Sequence, residues 1–546
     1  MKKRIEGNIV DVYDRRIFSG EVVIENGIII SLIENDKKYD HYIIPGFIDV
    51  HVHIESSMLT PIEFSKIVIA RGTVAIVNDP HEIANVLGRK GIEFMLDNSR
   101  NSLIKMFFTI PSCVPATSYD YSGEKILAKD IEELLESDQF IGLSEIMNIP
   151  GVLHNDPETI QKIKMTRKHH LVIDGHAPGL TGSDLKKYID YGISTDHECT
   201  NLKEALEKIR LGMKILIREG SAAKNYESLK HLILICPDQV MFCTDDSHPG
   251  DIIHKGHIDK IVVKAIADGF NLFDVLKIAS INPVEHYALN VGTLRVGEPA
   301  DFTLVDNLKD FNILSVFING IEKYSNKVYH SEYGEPISEH IYLNKFNRTP
   351  IATSQLIHRI EKEIVSIEVS DGEIVTRKKV FPILSTSALN NLESDLNRDI
   401  LKLVYLNRYQ NLSPQIAYIH GIGLKRGAFA TSISHDSHNV IAVGTNDRDL
   451  TVAINSVIAE KGGLVVVDGE ELLSLALSIA GIMSDKSGIE VADAWDGLIH
   501  KLKTMGCQLS SPFMTLSFMA LIVIPELKIG EKGLFEYSKF NFMSEC

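Results

Sequence analysis

Pro45-Gly46-Phe47-Ile48-Asp49-Val50-His51-Val52-His53 carries an apolar strand into a His-x-His pair. Side chains alternate between faces along a strand, so His51 and His53 point the same way. Two imidazoles on one face at a strand end can grip one metal ion. A metal-dependent enzyme is therefore the first reading to test against the rest of the chain.

Outward from this stretch, short β-rich runs alternate with longer helical segments as far as about residue 246. Strands are expected at 47–53, 73–79, 105–111, 140–145, 171–176, 192–197, 212–219 and 240–245. Helices are expected between them, among others at 61–71, 131–136 and 202–209. Eight β/α repeats predict an α/β protein built on a (β/α)8 TIM-like barrel, whose active site lies at the C-terminal ends of the strands. Those ends carry His51 and His53, Asp79, Glu145, His176, His197, Arg218 with Glu219, and Asp245.

The flanks differ in character. Val- and Ile-rich runs at 8–13 and 21–32, with Glu25-Asn26-Gly27 as a turn, predict a small β-domain over residues 1–44. The barrel spans 45–290, and short strands from 291 to 343, running to about Tyr342, return to the same small domain. The barrel is thus expected to be inserted within it. Residues 344–546 predict a C-terminal α+β domain, with strands at 441–443 and 463–467 and a helix at 472–483. The chain shows no internal repeat and no low-complexity segment.

Composition narrows the partners. A net charge of −17 over 546 residues opposes nucleic-acid binding, and Lys and Arg form no local run. The six cysteines, Cys113, Cys199, Cys236, Cys243, Cys507 and Cys546, are scattered with no C-x-x-C pair, so reduced thiols in the cytoplasm are expected. No apolar signal core follows the basic start, and the apolar run 518–524 stops at Pro525, too short for a membrane span of roughly 20 residues. A large acidic metabolic enzyme is expected to be a homo-oligomer, a dimer or higher.

His51, His53, Glu145, His176, His197 and Asp245 together make a ligand set for two divalent ions. A carboxylate between two cations can bridge them, which suits Glu145. Imidazoles with carboxylates suit manganese, iron or zinc over calcium, and the lack of nearby thiolates argues against a structural zinc site. Such ions lower the pKa of water from about 15.7 to about 7. Asp245 can then take a proton and hand it to a leaving group.

With these residues the chain resembles the amidohydrolase superfamily. Many members carry a carboxylated lysine on the fourth strand, where this chain offers Glu145. It resembles the adenine deaminase family more closely. The likeness rests on Pro45-Gly46-Phe47-Ile48-Asp49 with His51-Val52-His53-Ile54-Glu55-Ser56-Ser57-Met58, and on Asn78-Asp79-Pro80-His81-Glu82-Ile83-Ala84-Asn85-Val86-Leu87-Gly88. Gly175-His176-Ala177-Pro178-Gly179-Leu180, Thr195-Asp196-His197-Glu198 and Phe242-Cys243-Thr244-Asp245-Asp246-Ser247-His248-Pro249 complete it. The resemblance covers essentially the whole chain. It implies hydrolytic deamination of adenine to hypoxanthine and ammonia, a purine-salvage reaction. It also implies two divalent ions, Mn(II) or Fe(II) with Zn(II) as a further option, and assigns the six residues above as ligands, with Asp245 and Glu145 catalytic.

Several neighbours read two ways. Asp79-Pro80-His81-Glu82 can contact the purine edge or position a proton relay, or simply cap a helix. Glu55 can contact substrate or cap the next helix. Arg218 and Glu219 can touch substrate or pair with other ions. Strand-end position favours Asp245 over Asp246 as ligand, leaving Asp246 and His248 beside the site. Ser434-His435-Asp436-Ser437-His438-Asn439 can close the pocket, bind a further ion, or form a polar turn. Cys243 reads as core. The rival functions are a deaminase or cyclic amidase acting on another nitrogen heterocycle, and a catalytically silent amidohydrolase-like interaction protein. A di-iron site turning over peroxide is a further side reading.

Overall fold

The computed structural model describes residues 2–221, 223–330, 343–360, 363–383 and 391–543. The expected end of the returning strands near Tyr342 and Cys546 lie outside them. The chain begins with β1 (Lys2–Asp11), β2 (Arg16–Glu25), β3 (Ile28–Glu34) and β4 (Tyr42–Pro45). Glu25 pairs with Ile28 across Asn26-Gly27, both with positive φ (53° and 81°), which is the backbone a two-residue hairpin with right-handed strand twist requires. These strands share one eight-stranded sheet with Phe302–Val305, Ile313–Ile318, Ile321–Ser325 and Val328–Tyr329. Pro45 pairs with Phe302 in that sheet.

Between the two halves run eight strands: β5 (Phe47–Val52), β6 (Thr73–Asn78), β7 (Lys105–Ile110), β8 (Phe140–Ile146), β9 (Val172–Gly175), β10 (Thr195–Asp196), β11 (Lys214–Arg218) and β12 (Val240–Cys243). They form parallel sheets of five and three strands. The Ser194 N–H donates to the Ile173 carbonyl at 2.9 Å at one join. The Asp245 N–H donates to the His51 carbonyl at 2.9 Å at the other, so the barrel closes next to the His-x-His pair. β5 and β6 are buried along their whole length, as expected where helices cover the outside and side chains fill the inside.

The C-terminal region is a nine-stranded, mostly antiparallel sheet covered by the helix Asp447–Ala459, which buries Leu450, Ala453, Ile454 and Val457 against it. One apolar core runs from the barrel into this region and includes Met58, Val491 and Trp495. The helix expected at 472–483 is instead the strand Glu471–Ala476. Asp468 pairs with Glu471 across Gly469-Glu470, with Gly469 at φ 65°, so a tight hairpin overrides the helix propensity of the Leu- and Ala-rich run.

Candidate metal centre

The six strand-end donors converge. His53 donates from Nδ1 to the Asp79 carbonyl at 3.0 Å, which leaves its Nε2 lone pair facing inward. That Nε2 lies 3.5 Å from Glu145 Oε1 and 3.1 Å from Asp245 Oδ1. The other oxygen, Glu145 Oε2, lies 2.8 Å from His176 Nδ1 and 3.3 Å from His197 Nε2. Glu145 thus stands between two histidine groups with one oxygen toward each. His51 stacks on His197 with ring centroids 4.2 Å apart, and its Nε2 lies 3.4 Å from Asp245 Oδ1. Asp245 just past β12 has a φ of 55°, a left-handed conformation that turns its carboxylate into the cage.

The donor set fits divalent metal ions. Among the described residues, the buried groups whose ligand atoms lie within 4.8 Å of one another include His53, Asp79, His81 and Glu145; His51, His53 and Asp245; His51, Glu145 and His197; His176, His197 and Glu198; and His81, Glu82 and Asp436. His51 Nε2 is buried without a hydrogen-bond partner, a cost that ligation would remove. All donors are nitrogen or oxygen. Electrostatics agree: burial pushes the Glu145 carboxyl upward, but His176 and His197 outweigh it and hold it well below the usual carboxylate range. Burial likewise raises Asp245, and Arg218 with His51 and His53 reverses the shift.

The neighbours separate. Arg218 Nη1 donates to Glu198 Oε1 at 2.6 Å and to Asp245 Oδ2 at 2.5 Å, so it is an ion-pair partner at the cavity wall. Asp79 accepts from the His81 N–H and pairs with the His81 ring at 3.0 Å, which serves both the helix start and the site. Asp246 accepts from the Ser56 hydroxyl and lines the cavity, as do His81 and Glu82. Three expected residues do not reach it. Glu219 turns toward Lys264 Nζ, 3.7 Å away. His248 packs on Trp495 with ring centroids 3.9 Å apart, in an adjoining apolar pocket. Glu55 is buried behind the wall, where Oε1 accepts from the Ile83 N–H at 3.1 Å and burial raises its pKa to about 7.

The sequence reading gave no site role to Glu198 or to the apolar wall of the cavity, and offered Asp436 only within the segment 434–439 that could close the pocket. Glu198 lies 3.4 Å from His197 Nε2; its place directly after a ligand histidine was the available signal. Asp436 faces His81 Nε2 at 3.8 Å. Phe518, Leu521 and Ile524, read only for membrane length, form an apolar wall of the cavity, and Ile374 adds to it. The apolar wall comes from the C-terminal region, where no local period ties those residues to the distant barrel.

Residues 42–322 match the amidohydrolase family, and residues 373–541 match the adenine deaminase C-terminal domain. A Methanosarcina mazei protein named adenine deaminase is 49% identical over 554 residues, covering 99% of both chains. One of the same name from Sulfurovum sp. is 47% identical over 544 residues, again 99% of both. Another from Borreliella burgdorferi is 44% identical over 549 residues and 99% of both. With matches of this extent across barrel and C-terminal region alike, the chain belongs to the adenine deaminase family of amidohydrolases.

Proposed function

We propose that the protein hydrolyses adenine to hypoxanthine and ammonia, a purine-salvage reaction. The observation that carries this is the buried nitrogen and oxygen cage at a barrel mouth in a chain similar to adenine deaminases over nearly its full length. His51, His53, Glu145, His176, His197 and Asp245 would hold two divalent ions. When bound, such ions supply Lewis acidity and make water acidic enough to attack near neutral pH. Manganese(II) or iron(II) suits this donor set, and zinc(II) is the further option.

The chain's own residues handle the proton and the ring. Asp245 takes the proton of the attacking water at its carboxylate and returns it to the amine leaving C6. His81 and Glu82 face the purine edge, where the His81 ring can donate to a ring nitrogen and the ionised Glu82 carboxylate can accept from an N–H of the purine. Phe518, Leu521, Ile524 and Ile374 cover the ring faces and exclude water, which strengthens each charge interaction beneath them. Arg218 keeps Asp245 and Glu198 ionised and oriented. In this reading residues 45–290 carry the metals, 1–44 and 291–343 form the small β-domain, and 344–546 roof the site.

The free thiols of the five cysteines among the described residues and a net charge of −17 support a cytoplasmic enzyme that does not bind nucleic acid. Among the described residues no helix is long and apolar enough to cross a membrane. We propose a homo-oligomer, as is usual for soluble metabolic enzymes. The test is ammonia release from adenine, adenosine, cytosine and guanine by chelator-stripped protein reloaded with Mn(II), Fe(II) or Zn(II). Turnover of adenine that is lost on stripping and restored on reloading is expected. Two bound metals with no adenine turnover would transfer the site to another ring amine or cyclic amide.

A further inference from the structure

The segment 434–439 of the C-terminal region reaches across to the barrel and grips one carboxylate. Glu82, in the first turn of the helix His81–Leu87, is 2% exposed. Its Oε1 meets His435 Nδ1 at 2.5 Å, across 353 residues of sequence, and its Oε2 lies against His438 Nε2. A glutamate side chain turns freely about three bonds; a hydrogen bond on Oε1 and a ring nitrogen packed against Oε2, though no hydrogen bond is formed there, confine it to one orientation.

The histidine tautomers show what kind of grip this is. The Ser434 N–H donates to His438 Nδ1 at 3.4 Å, so the ring proton sits on Nε2, the atom facing Glu82. His53 is set the opposite way, with Nδ1–H on the Asp79 carbonyl and the Nε2 lone pair free for an ion. One arrangement makes a ligand and the other a donor. The segment is also fastened. Asn439 Nδ2 donates to the Tyr121 carbonyl of the barrel at 3.0 Å and to the Tyr405 hydroxyl at 2.7 Å. Its Oδ1 accepts from the Arg408 N–H at 3.0 Å, and the His435 ring stacks on Phe518 at 4.6 Å.

We propose that His435 and His438 are positioning residues for the deamination: from the C-terminal region they hold Glu82 in the orientation that presents it, beside His81, to the substrate over the metal cage. The barrel then has its ligands but is catalytically incomplete without segment 434–439. This rests on the adenine deaminase reading above.

Side-chain geometry supplies the test. A glutamine amide nitrogen falls near the place of histidine Nε2, and an asparagine amide nitrogen near that of Nδ1. His438→Gln and His435→Asn therefore keep the donor that His438→Leu and His435→Leu remove. In Mn(II)-loaded protein the Leu variants are expected to lose about 10²-fold in kcat, the cost of a misplaced group, with KM within about threefold and two metals per chain retained. The amide variants are expected to recover at least about tenfold of that loss. A kcat within about threefold of wild type in the Leu variants would overturn the proposal. So would equal losses in Leu and amide variants accompanied by metal loss, the mark of a packing role. A crystal structure of the Mn(II)-loaded wild type with data at the manganese edge decides the grip separately from turnover. Glu82 held between the two rings with no anomalous peak there supports it; a peak between Glu82 and His438, or Glu82 turned away, overturns it. Failure of the wild type to release ammonia counts against the adenine reading, not against this geometry.

Discussion

Asp245 meets three demands at once. It adopts a left-handed backbone conformation, offers Oδ1 to His51 and His53, and gives Oδ2 to Arg218. Asparagine tolerates the same backbone and has nearly the same shape, so Asp245→Asn removes the charge and the proton acceptor with little other change. We expect kcat to fall by about 10²–10⁴-fold, the range of lost general acid–base catalysis, in protein that still carries metal. Steady-state kinetics beside metal analysis checks this; near-normal turnover would remove Asp245 from the proton path. At this scale the His-x-His pair and Asp245 were legible because a strand's period of two and its end position are local properties. Glu219 and Arg218 were equally visible, yet only Arg218 faces the cavity, since adjacent residues on a strand point to opposite sides.

Among elements, the barrel strands were readable for one reason. Parallel strands buried on both faces are near-continuous apolar runs, and each here ends in a polar residue. The strand Glu471–Ala476 was misread because Leu and Ala favour helix locally, whereas Asp468-Gly469 sets a hairpin whose partner strand claims the segment. Strand packing also makes a prediction at Gly175. A Cβ there would lie 2.3 Å from the Thr195 carbonyl and 2.8 Å from the Ile193 side chain, at the join between β9 and β10 and one residue before His176. Gly175→Ala is expected to destabilise the protein by about 1–3 kcal/mol through overpacking and to lower metal content by displacing His176. Denaturant titration with metal analysis reads both effects, and an unchanged midpoint with full metal would refute the close-packing argument.

At the scale of the molecule, the C-terminal region places an uncompensated charge close to the cavity wall. Lys528 is fully buried, donates to the Ile374 carbonyl at 2.8 Å, and is pushed by burial down to about 7. In the unfolded chain its pKa returns to about 10.4. Between those values the unfolded chain binds more protons, so this group makes stability rise as pH rises from about 7 toward 10. Below about 7 the folded protein bears the whole cost of a buried ammonium. Lys528→Met is therefore expected to raise the melting temperature by a few degrees at pH 6–7 and to flatten the profile up to pH 10. Parallel profiles for variant and wild type would show that Lys528 titrates alike in the folded and unfolded chains, and would refute the lowered pKa.

By itself the sequence determined the barrel and pointed to His51, His53, Glu145, His176, His197 and Asp245 as the strand-end side chains that the fold brings together. Strand period, strand-end position and motif are all written over a few neighbouring residues. Only the tertiary structure decided that Glu145 stands between two histidine groups, that Arg218 ties Glu198 to Asp245, and that Glu219 and His248 turn elsewhere. It alone brought His435 and His438 onto Glu82 and Phe518 over the cage. Those contacts join segments hundreds of residues apart, and what brings them together is the burial of one shared apolar core, which no local pattern encodes.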